Sequence, residues 1–329
     1  MRLVKPSIEV LPIGVDIFKR IETIGRVCVR SEDKITNESA MKFCRDRLKS
    51  GHTAIFNHGI AYFSVSSGVD PMYLYRLVAE YPRIKITTDR KGGRFIAVPY
   101  RCYLDWESMV KPIELIYNDA QDNINYNTIL RYLFERPTFN RLTSDIRYNM
   151  YLDFQLMSEE EAFEYCPDIV HISVKFTTDR GITHELVRHT AAAFMQESTR
   201  WCNYSGDKFG NEVTFIQPFW IDDIMEDSNY YFRTSLRILE NAYITLLKRH
   251  NWTAQQARSI LPNTLKSDIW VTATLKEWYG ATIKCKVGDI AYKERKGLFP
   301  QRLHKTAHPQ MSEIMELVRL EFLKLNYAL

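Results

Sequence analysis

Apolar and polar residues alternate in several short runs of the chain, and these runs predict strands. The runs at 59–67, 94–103 and 170–177 are rich in the β-branched and aromatic residues that strands favour. A shorter, strand-like run lies at 213–216. In the run at 170–177, alternate residues share one face of an extended chain, namely Val170, Ile172, Val174 and Phe176.

Apolar residues at helical spacing predict several helices. Gly51 and Pro262 mark the ends of two of them. The segment 70–165 mixes tyrosines, charges and both kinds of pattern, whereas 284–301 is basic and loop-like. No repeat or linker divides the chain. The predicted helices span 36–50, 181–193, 228–250, 253–260, 263–280 and 309–325.

The composition is that of an ordinary globular protein. Of the 329 residues, 45% are hydrophobic and 26% are charged, which allows a sizeable core without a disulfide or metal staple. The net charge of +4 comes from 44 basic and 40 acidic residues. This mild excess fits a site for anionic nucleotides and does not by itself indicate a nucleic-acid partner.

Cysteine usage and hydropathy indicate the cellular compartment and the kinds of site to expect. The six cysteines form no Cys-x-x-Cys pair, so neither a zinc site nor a redox motif is expected. The N-terminal residues lack the apolar stretch of a secretory signal, and no run approaches the roughly 18 apolar residues of a membrane span. We therefore expect a cytoplasmic protein with free thiols, no metal and no membrane partner.

Polar chemistry is concentrated in the segment 179–204. If 181–193 is helical, Glu185, Arg188 and His189 project together from one helix. Arginine binds phosphate through its planar fork, and glutamine and serine form directional hydrogen bonds with a heterocycle. A surface helix with a Glu–Arg pair, followed by a solvated loop, fits the same residues. The short polar run after the helix holds Gln196, Glu197, Ser198 and Arg200.

The spacing within this segment carries a family resemblance. Arg188, His189 and Thr190 are consecutive, and Ser198 follows after seven further residues. Arg200 and Trp201 come directly afterwards. The order resembles the signature of the flavin-dependent thymidylate synthases, which is Arg-His-Arg, seven residues and serine. In that family an arginine occupies the place of Arg200 and a tyrosine usually occupies that of Trp201.

Three further segments, one upstream and two downstream, lie in the order expected for the same family. The Gly-His-Thr-Ala-Ile-Phe-Asn-His run at 51–58 is similar to its Gly-His…Glu-His element, and Ala-Arg-Ser-Ile-Leu-Pro at 257–262 is similar to its Ala-Arg-x-x-Leu-Pro. Arg302, with Ala-His-Pro-Gln at 307–310, resembles the arginine before the family's C-terminal helix. Taken singly, the histidine pair fits a structural role and either arginine fits an exposed charge.

The resemblance covers about residues 20–65 and 170–325 and leaves an insertion at about 70–165. It implies one domain, 1–329, with an α/β (α+β) fold in which a central, mostly antiparallel sheet is covered by helices. It implies conversion of dUMP into dTMP with FAD as cofactor and NADPH and methylenetetrahydrofolate as co-substrates. It also implies a homotetramer whose active sites are shared between subunits.

The resemblance assigns roles residue by residue. Arg302 would stabilise negative charge that develops on the pyrimidine, while Ser198 would bind substrate and not act as a nucleophile, since no strong base adjoins it in sequence; these two are the candidate catalytic residues. The candidate FAD contacts are His52, Arg188, His189 and Thr190. The candidate nucleotide contacts are Glu185, Gln196, Ser198, Arg200, Arg258 and Arg302.

The chain departs from the family mainly at positions that face the cofactor. A lost arginine contact is worth about 1.5–3 kcal/mol, so weaker or altered FAD binding is expected. The stretch 281–301 is longer than the family's usual link, which makes Lys284 a rival of Arg302. The cofactor-facing departures are Thr190 for arginine, Asn57 for glutamate, Ala54 for a frequent hydroxyl residue and Thr274 for a frequent asparagine.

Three alternatives to a thymidylate synthase fit the same residues. One is a related enzyme that makes another 5-substituted pyrimidine, such as 5-hydroxymethyl-dUMP. Another is a nucleotide-binding homologue that keeps Arg200 and Arg258 without catalysis. The last is a nucleic-acid-binding protein that uses the basic stretch 284–302 with Tyr292 and Phe299, although a loop covering an anionic ligand explains that stretch as well.

Overall fold

The computed structural model of the protein describes residues 1–102, 104, 154–221, 227–287 and 290–327, and of the strands between 281 and 296 it describes the backbone alone. The strands are β1 (Arg2–Val4), β2 (Ser7–Val10), β3 (Ile60–Val65), β4 (Lys85–Thr88), β5 (Arg94–Pro99), β6 (Phe154–Met157), β7 (His171–Asp179), β8 (Ala193–Gln196), β9 (Thr214–Ile216), β10 (Lys266–Thr274), β11 (Ala281–Val287) and β12 (Ile290–Lys296).

The helices are numbered in the same way. No helix of the described ranges is long and apolar enough to cross a bilayer. They are α1 (Ile17–Arg26), α2 (Ser39–Lys49), α3 (Pro71–Glu80), α4 (Glu159–Tyr165), α5 (Arg180–Leu186), α6 (Asp227–Lys248), α7 (Ala254–Ala257), α8 (Leu275–Tyr279), α9 (Leu298–Arg302) and α10 (Pro309–Lys324). The helices predicted at 36–50, 228–250 and 309–325 correspond to α2, α6 and α10.

The chain divides into two compact units. The first unit comprises Met1–Leu11, Thr23–Ile35 and Ser173–Ala328, and the second comprises Pro12–Glu22 and Thr36–Ile172 together with Leu329. Each unit contains one four-stranded sheet among its described residues. The predicted α/β class with antiparallel pairing is confirmed, and eight of the twelve described strands belong to these two sheets.

The sheet of the first unit has the strand order β2-β7-β10-β8. β2 runs antiparallel to β7, and β8 runs antiparallel to β10 with Gln196 opposite Ile269. β1 and β9 form a separate parallel pair, which confirms the short strand predicted at 213–216. Because β8 borders β10, the polar run that follows Gln196 leaves the sheet beside the first residues of β10.

The sheet of the second unit has the order β4-β5-β3-β6, and its described pairings are antiparallel. Its strands β3 and β5 confirm the predictions at 59–67 and 94–103. The described part of the predicted insertion, 70–102 and 154–165, contributes β4, β5 and β6. Three of the four strands of this sheet therefore come from the insertion.

The helix predicted at 263–280 is wrong. Lys266–Thr274 is strand β10, and only Leu275–Tyr279 is helical, beginning at a capping box between Thr274 and Glu277. Eight of the nine strand residues are buried. Because β10 is buried on both faces, it lacks the alternation of polar and apolar residues that identifies half-buried strands.

The helix predicted at 181–193 is too long. It ends at Leu186, and 193–196 pairs with β10 as strand β8. The alanines at 191–193 favour a helix intrinsically, but the backbone hydrogen bonds gained at the sheet edge outweigh that preference. Arg188 and His189 therefore lie in the turn after the helix.

The loop predicted at 284–301 is also wrong. β11 and β12 form an antiparallel hairpin in which Ala281 is opposite Lys296, and the short helix α9 follows. Lysines at alternate positions of β11 gave this stretch its loop-like composition, although the intervening residues are apolar.

An aromatic cluster joins α8, α9 and α10 to β7. Trp278, at the centre, is fully buried and lies 5.6 Å from the ring of Phe299, 5.3 Å from Phe322 and 6.4 Å from Phe176, between ring centroids. Aromatic contacts of this kind stabilise a core beyond the area that they bury. The cluster fixes α9 on the core, and α9 ends at Arg302.

Gly297 and Gly280 approach closely at the base of the hairpin. A Cβ on Gly297 would lie 2.4 Å from the Cα of Gly280, whose φ of 80° itself favours glycine. We expect Gly297→Ala to destabilise the protein by about 1–3 kcal/mol through overpacking, measured by urea unfolding. Gly206→Ala is the matched control, since its Cβ would meet nothing nearer than 3.4 Å; equal effects of the two variants would contradict the prediction.

Candidate functional site

The start of α5 is fixed by a buried carboxylate. Asp179 caps the helix by accepting a hydrogen bond from the backbone N–H of Ile182 at 2.8 Å, and it also accepts one from the side chain of buried Gln310 on α10. Burial raises the pKa of Asp179. These bonds hold α5 between β7 and α10, so that Glu185 lies in its last turn.

Arg302 binds the C-terminal end of α5 through three donors. Its Nε donates to Nε2 of His189 at 2.8 Å, one terminal nitrogen donates to Oε2 of Glu185 at 3.0 Å, and the other donates to the backbone oxygen of Glu185 at 2.6 Å. A guanidinium carries five N–H groups, so two remain for a ligand. The structure thus brings Arg302 together with Glu185 and His189, two predicted site residues that lie 117 and 113 positions earlier in the chain.

Burial and the Arg302 guanidinium lower the pKa of His189 to about 4. The ring is neutral at pH 7, as required of an imidazole nitrogen that accepts a hydrogen bond from arginine. Burial also lowers the pKa of Arg302, with Arg188 acting in the same direction and Glu185 opposing it. Arg302 remains charged at neutral pH because guanidinium pKa values start above 12.

We expect stability to fall between pH 6.5 and pH 4 because folded His189 resists protonation. The unfolded chain takes up this proton near pH 6.5, whereas the folded protein takes it up near pH 4. The stabilisation is therefore complete above pH 6.5 and is lost as the pH falls toward 4. At about 1.4 kcal/mol per pKa unit, the loss is at most about 3.5 kcal/mol. Urea unfolding of the wild type and of His189→Gln at both pH values measures it; an identical pH dependence in the variant would contradict the assignment.

Gln196 is oriented by its amide nitrogen. Nε2 donates to the hydroxyl of Thr183 on α5 at 2.8 Å and to the hydroxyl of Ser267 on β10 at 3.0 Å. Both amide hydrogens are thereby used, and within the described parts of the chain no donor reaches Oε1. This oxygen is an acceptor of fixed direction that suits an N–H group of a ligand.

From Ser198 onward, the chain turns away from the sheet. The backbone N–H of Ser198 donates to the oxygen of Cys28 at 2.9 Å, and the oxygen of Ser198 accepts from the N–H groups of Trp201 and Cys202. The Ser198 side chain is half-buried. No side-chain base of the described residues is hydrogen-bonded to its hydroxyl, so the geometry suits binding and not nucleophilic attack.

Two arginines flank this turn. The exposed guanidinium of Arg200 lies over the ring of Trp201, 5.3 Å from its centroid. The guanidinium of Arg258, also exposed, donates to the hydroxyl of Thr199 at 3.3 Å. Neither arginine forms an ion pair with a carboxylate of the described residues. The pair therefore offers two uncompensated positive charges around Thr199.

The candidate FAD contacts lie in both units. Arg188 and Thr190 are exposed in the turn after α5, beside half-buried His189. His52 belongs to the second unit, where its exposed side chain precedes the 3-10 helix Thr53–His58. The side chain of Lys284, the rival of Arg302, lies outside the described residues, as do those of Cys285 and Tyr292.

A buried ionic cluster behind the turn was missed in the sequence. Glu197 and Asp268 are nearly inaccessible, and both bind Lys266 and Arg30. Lys266 and Asp268 are two residues apart on β10 and therefore share a face of the strand. With 263–280 predicted as a helix, these two residues were not expected to share a face. Among the described residues, no group of three or more His, Cys, Asp or Glu side chains is placed to hold a metal ion.

Residues 168–322 match the family model described as Thy1, thymidylate synthase complementing protein. The chain is 31% identical over 98 residues to a flavin-dependent thymidylate synthase of Geobacter sulfurreducens, covering 30% of this chain and 40% of that enzyme. It is 29% identical over 138 residues to the enzyme of the same name from Pyrococcus abyssi, covering 38% of this chain and 54% of that one. The chain thus spans about half the length, or less, of these relatives.

Two solved structures are similar at low identity. Thymidylate Synthase X from Helicobacter pylori, with FAD and dUMP, is 16% identical with a TM-score of 0.31, covering 49% of this chain and 74% of that one. The UMP/dUMP methylase PolB from Streptomyces cacaoi, bound with 5-Br dUMP, is 12% identical with a TM-score of 0.35, covering 99% and 93%. TM-scores of this size support no inference about function.

Proposed function

We propose that the protein binds dUMP and FAD and methylates the uracil ring as a flavin-dependent thymidylate synthase. The observation that carries the proposal is the placement of two uncompensated arginines, Arg200 and Arg258, at one turn beside the fixed acceptor of Gln196. The match of 168–322 to the thymidylate synthase family model supports it. A nucleotide offers the complementary groups, a dianionic phosphate and a ring N–H.

The phosphate would be bound at the turn after β8. Arg200 and Arg258 supply charge-assisted donors there, and Ser198 adds a hydroxyl. Planar guanidinium groups can each form two parallel hydrogen bonds with phosphate oxygens. Trp201 limits the movement of Arg200 by lying against its guanidinium, which lowers the entropic cost of binding.

The pyrimidine would be bound between Gln196 and Arg302. Arg302 has two N–H groups that no acceptor among the described residues uses, and the bonds to Glu185 and His189 direct them. Donors held in advance stabilise negative charge on a ring oxygen as it develops, because they need no reorganisation during the reaction. Glu185 is in this view a residue that orients Arg302 and shields its charge before substrate binds.

The turn after α5 would hold part of the FAD. Arg188 is exposed and pairs with no carboxylate of the described residues, and Thr190 presents a hydroxyl beside it. This donor set fits an anionic cofactor, although a hydroxyl at position 190 gives a weaker contact than the family's arginine. Bound FAD would supply the reducing equivalents, with NADPH as their source and methylenetetrahydrofolate as the source of the transferred carbon. The proposal includes a cytoplasmic homotetramer with shared sites, and the contact of His52 with FAD stays a prediction from the sequence.

Product identification tests the proposal. Purified protein is incubated anaerobically with FAD, NADPH, dUMP and methylenetetrahydrofolate, and the nucleotides are analysed by mass spectrometry. We expect dTMP. A product heavier than dTMP by one oxygen would replace the proposal by a hydroxymethylating enzyme, and bound dUMP without any product would replace it by a nucleotide-binding homologue. Absence of both binding and product would overturn it.

A further inference from the structure

The two residues that begin the polar turn point to opposite sides of the sheet edge. Gln196 is directed toward α5, where it binds Thr183 and Ser267. Glu197 is directed the other way, and its backbone N–H donates to the oxygen of Asp268 at 2.8 Å, so the strand pairing continues one residue beyond β8. The same alternation holds on β10. Ser267 lies on the face of Gln196, whereas Lys266 and Asp268 lie on the face of Glu197.

The side chain of Glu197 accepts hydrogen bonds from three side chains and from the backbone N–H of Asp268, which lies 3.4 Å from Oε2. Tyr204 donates its hydroxyl to Oε1 at 2.9 Å, and Lys266 and Arg30 donate to Oε2 at 3.0 and 3.3 Å. Asp268 completes the cluster. It binds Lys266, accepts from Arg30 at 2.6 Å and accepts from the hydroxyl of Thr177 at 2.7 Å.

The cluster is balanced in charge and buried. Two carboxylates face two cations, and the side-chain exposures are 1% for Glu197, 9% for Asp268, 11% for Lys266 and 33% for Arg30. Burial would raise the pKa of Asp268, but the hydrogen-bonded ammonium of Lys266 and its other donors lower it. Removing one member of such a group leaves a buried charge without its partner, which costs far more than an exposed pair would.

The cluster and the turn are joined at a second point. Arg30 follows the 3-10 helix Val27–Val29, and Cys28 in that helix accepts the hydrogen bond from the backbone N–H of Ser198. The same loop thus contacts Glu197 through a side chain and Ser198 through the backbone. The position of residues 198–200 therefore depends on where Glu197 is anchored.

We propose that Glu197 is a positioning residue that sets the nucleotide-binding turn 196–200 in its binding geometry through this buried cluster. The inference rests on the proposed nucleotide-binding function for its consequence in affinity. Its structural part, the ordering of the turn by Glu197, does not depend on a ligand. The two parts can therefore fail separately.

Glu197→Gln tests the proposal because it keeps the shape and removes the charge. Amide hydrogen exchange is followed by mass spectrometry in peptides from the turn and from α10, without ligand, and dUMP binding is titrated. We expect exchange in the turn to accelerate by about 10-fold or more, exchange in α10 to stay constant, and the Kd for dUMP to rise by about 10-fold. In turnover the change should appear in KM for dUMP, with kcat within about twofold.

Thr177→Val is the matched control. It removes the donor to Asp268 at the far side of the cluster and leaves every bond of Glu197 in place. We expect it to change exchange in the turn, and the Kd, by less than about twofold. Equal effects of the two variants, or wild-type exchange in Glu197→Gln, would overturn the positioning role. Failure of the wild type to bind dUMP would instead overturn the proposed function, and the exchange result would still decide the inference.

A second variant serves if Glu197→Gln does not fold. Tyr204→Phe removes only the hydroxyl that donates to Glu197. We expect a smaller acceleration of exchange that is confined to the turn, by about threefold. Unchanged exchange in the turn would overturn the proposal.

Discussion

The Arg200→Ala/Arg258→Ala double variant is expected to bind dUMP about three orders of magnitude more weakly than the wild type. Each arginine supplies charge-assisted hydrogen bonds to the phosphate, and each loss is worth about 1.5–3 kcal/mol. Together they cost about 3–6 kcal/mol, or roughly 10²–10⁴ in Kd. Both guanidinium groups are exposed, so the fold should tolerate their removal. Isothermal titration with dUMP measures the change.

The single variants show whether the two arginines act on one phosphate. If they do, their combined effect should differ from the sum, because residues that share a ligand group couple. Arg237→Ala is the control, since Arg237 is an exposed arginine of α6 in the same unit. It should bind dUMP like the wild type. Binding by the double variant within about threefold of the wild type would exclude the turn as the phosphate site.

Arg302→Gln is expected to reduce kcat by about 10²–10³, as found when a preorganised donor to a developing anion is removed. It should also raise the pKa of His189 from about 4 toward its ordinary value, because one of the two causes of the lowering is the Arg302 charge. Burial, the larger cause, remains, so the pKa should stay below 6.5. Steady-state kinetics and NMR titration of the imidazole measure the two effects.

Arg302→Lys separates charge from geometry. The ammonium keeps the positive charge near His189 but cannot reproduce the three directed bonds of the guanidinium. We expect the pKa of His189 to stay low while kcat falls. Arg319→Gln, at an exposed ion pair on α10, is the control and should leave both quantities unchanged. Normal turnover in Arg302→Gln would remove Arg302 from the candidate catalytic residues.

The predicted nucleotide contacts Gln196, Ser198 and Arg200 fall within the five positions 196–200, so a local motif contains all three. The pairing of Arg302 with Glu185 spans 117 residues. The sequence indicated a role for each of the two residues but not their contact, because the packing of α9 and α10 against β7 creates this proximity.

The buried cluster could not be predicted in the same way. Glu197 stood in the motif and looked like one more polar residue of a solvated run, while Lys266 and Asp268 lay in a stretch with an apparent helical period. Burial on both faces of β10 removed the alternation that would have identified a strand. Charge compensation among residues 30, 197, 266 and 268 depends on three segments meeting, and pattern analysis of one segment at a time does not detect it.

The origin of the second sheet bears on how the chain can be shortened. Since β4, β5 and β6 all lie within the insertion, β3 has no described strand partner from outside it. Excising 70–165 would leave the six residues of β3, Ile60–Val65, with open backbone donors and acceptors. Such an edge recruits other chains. A version of this protein without the insertion would therefore be prone to aggregation. In any shortened or chimeric protein, the insertion and β3 must be kept together.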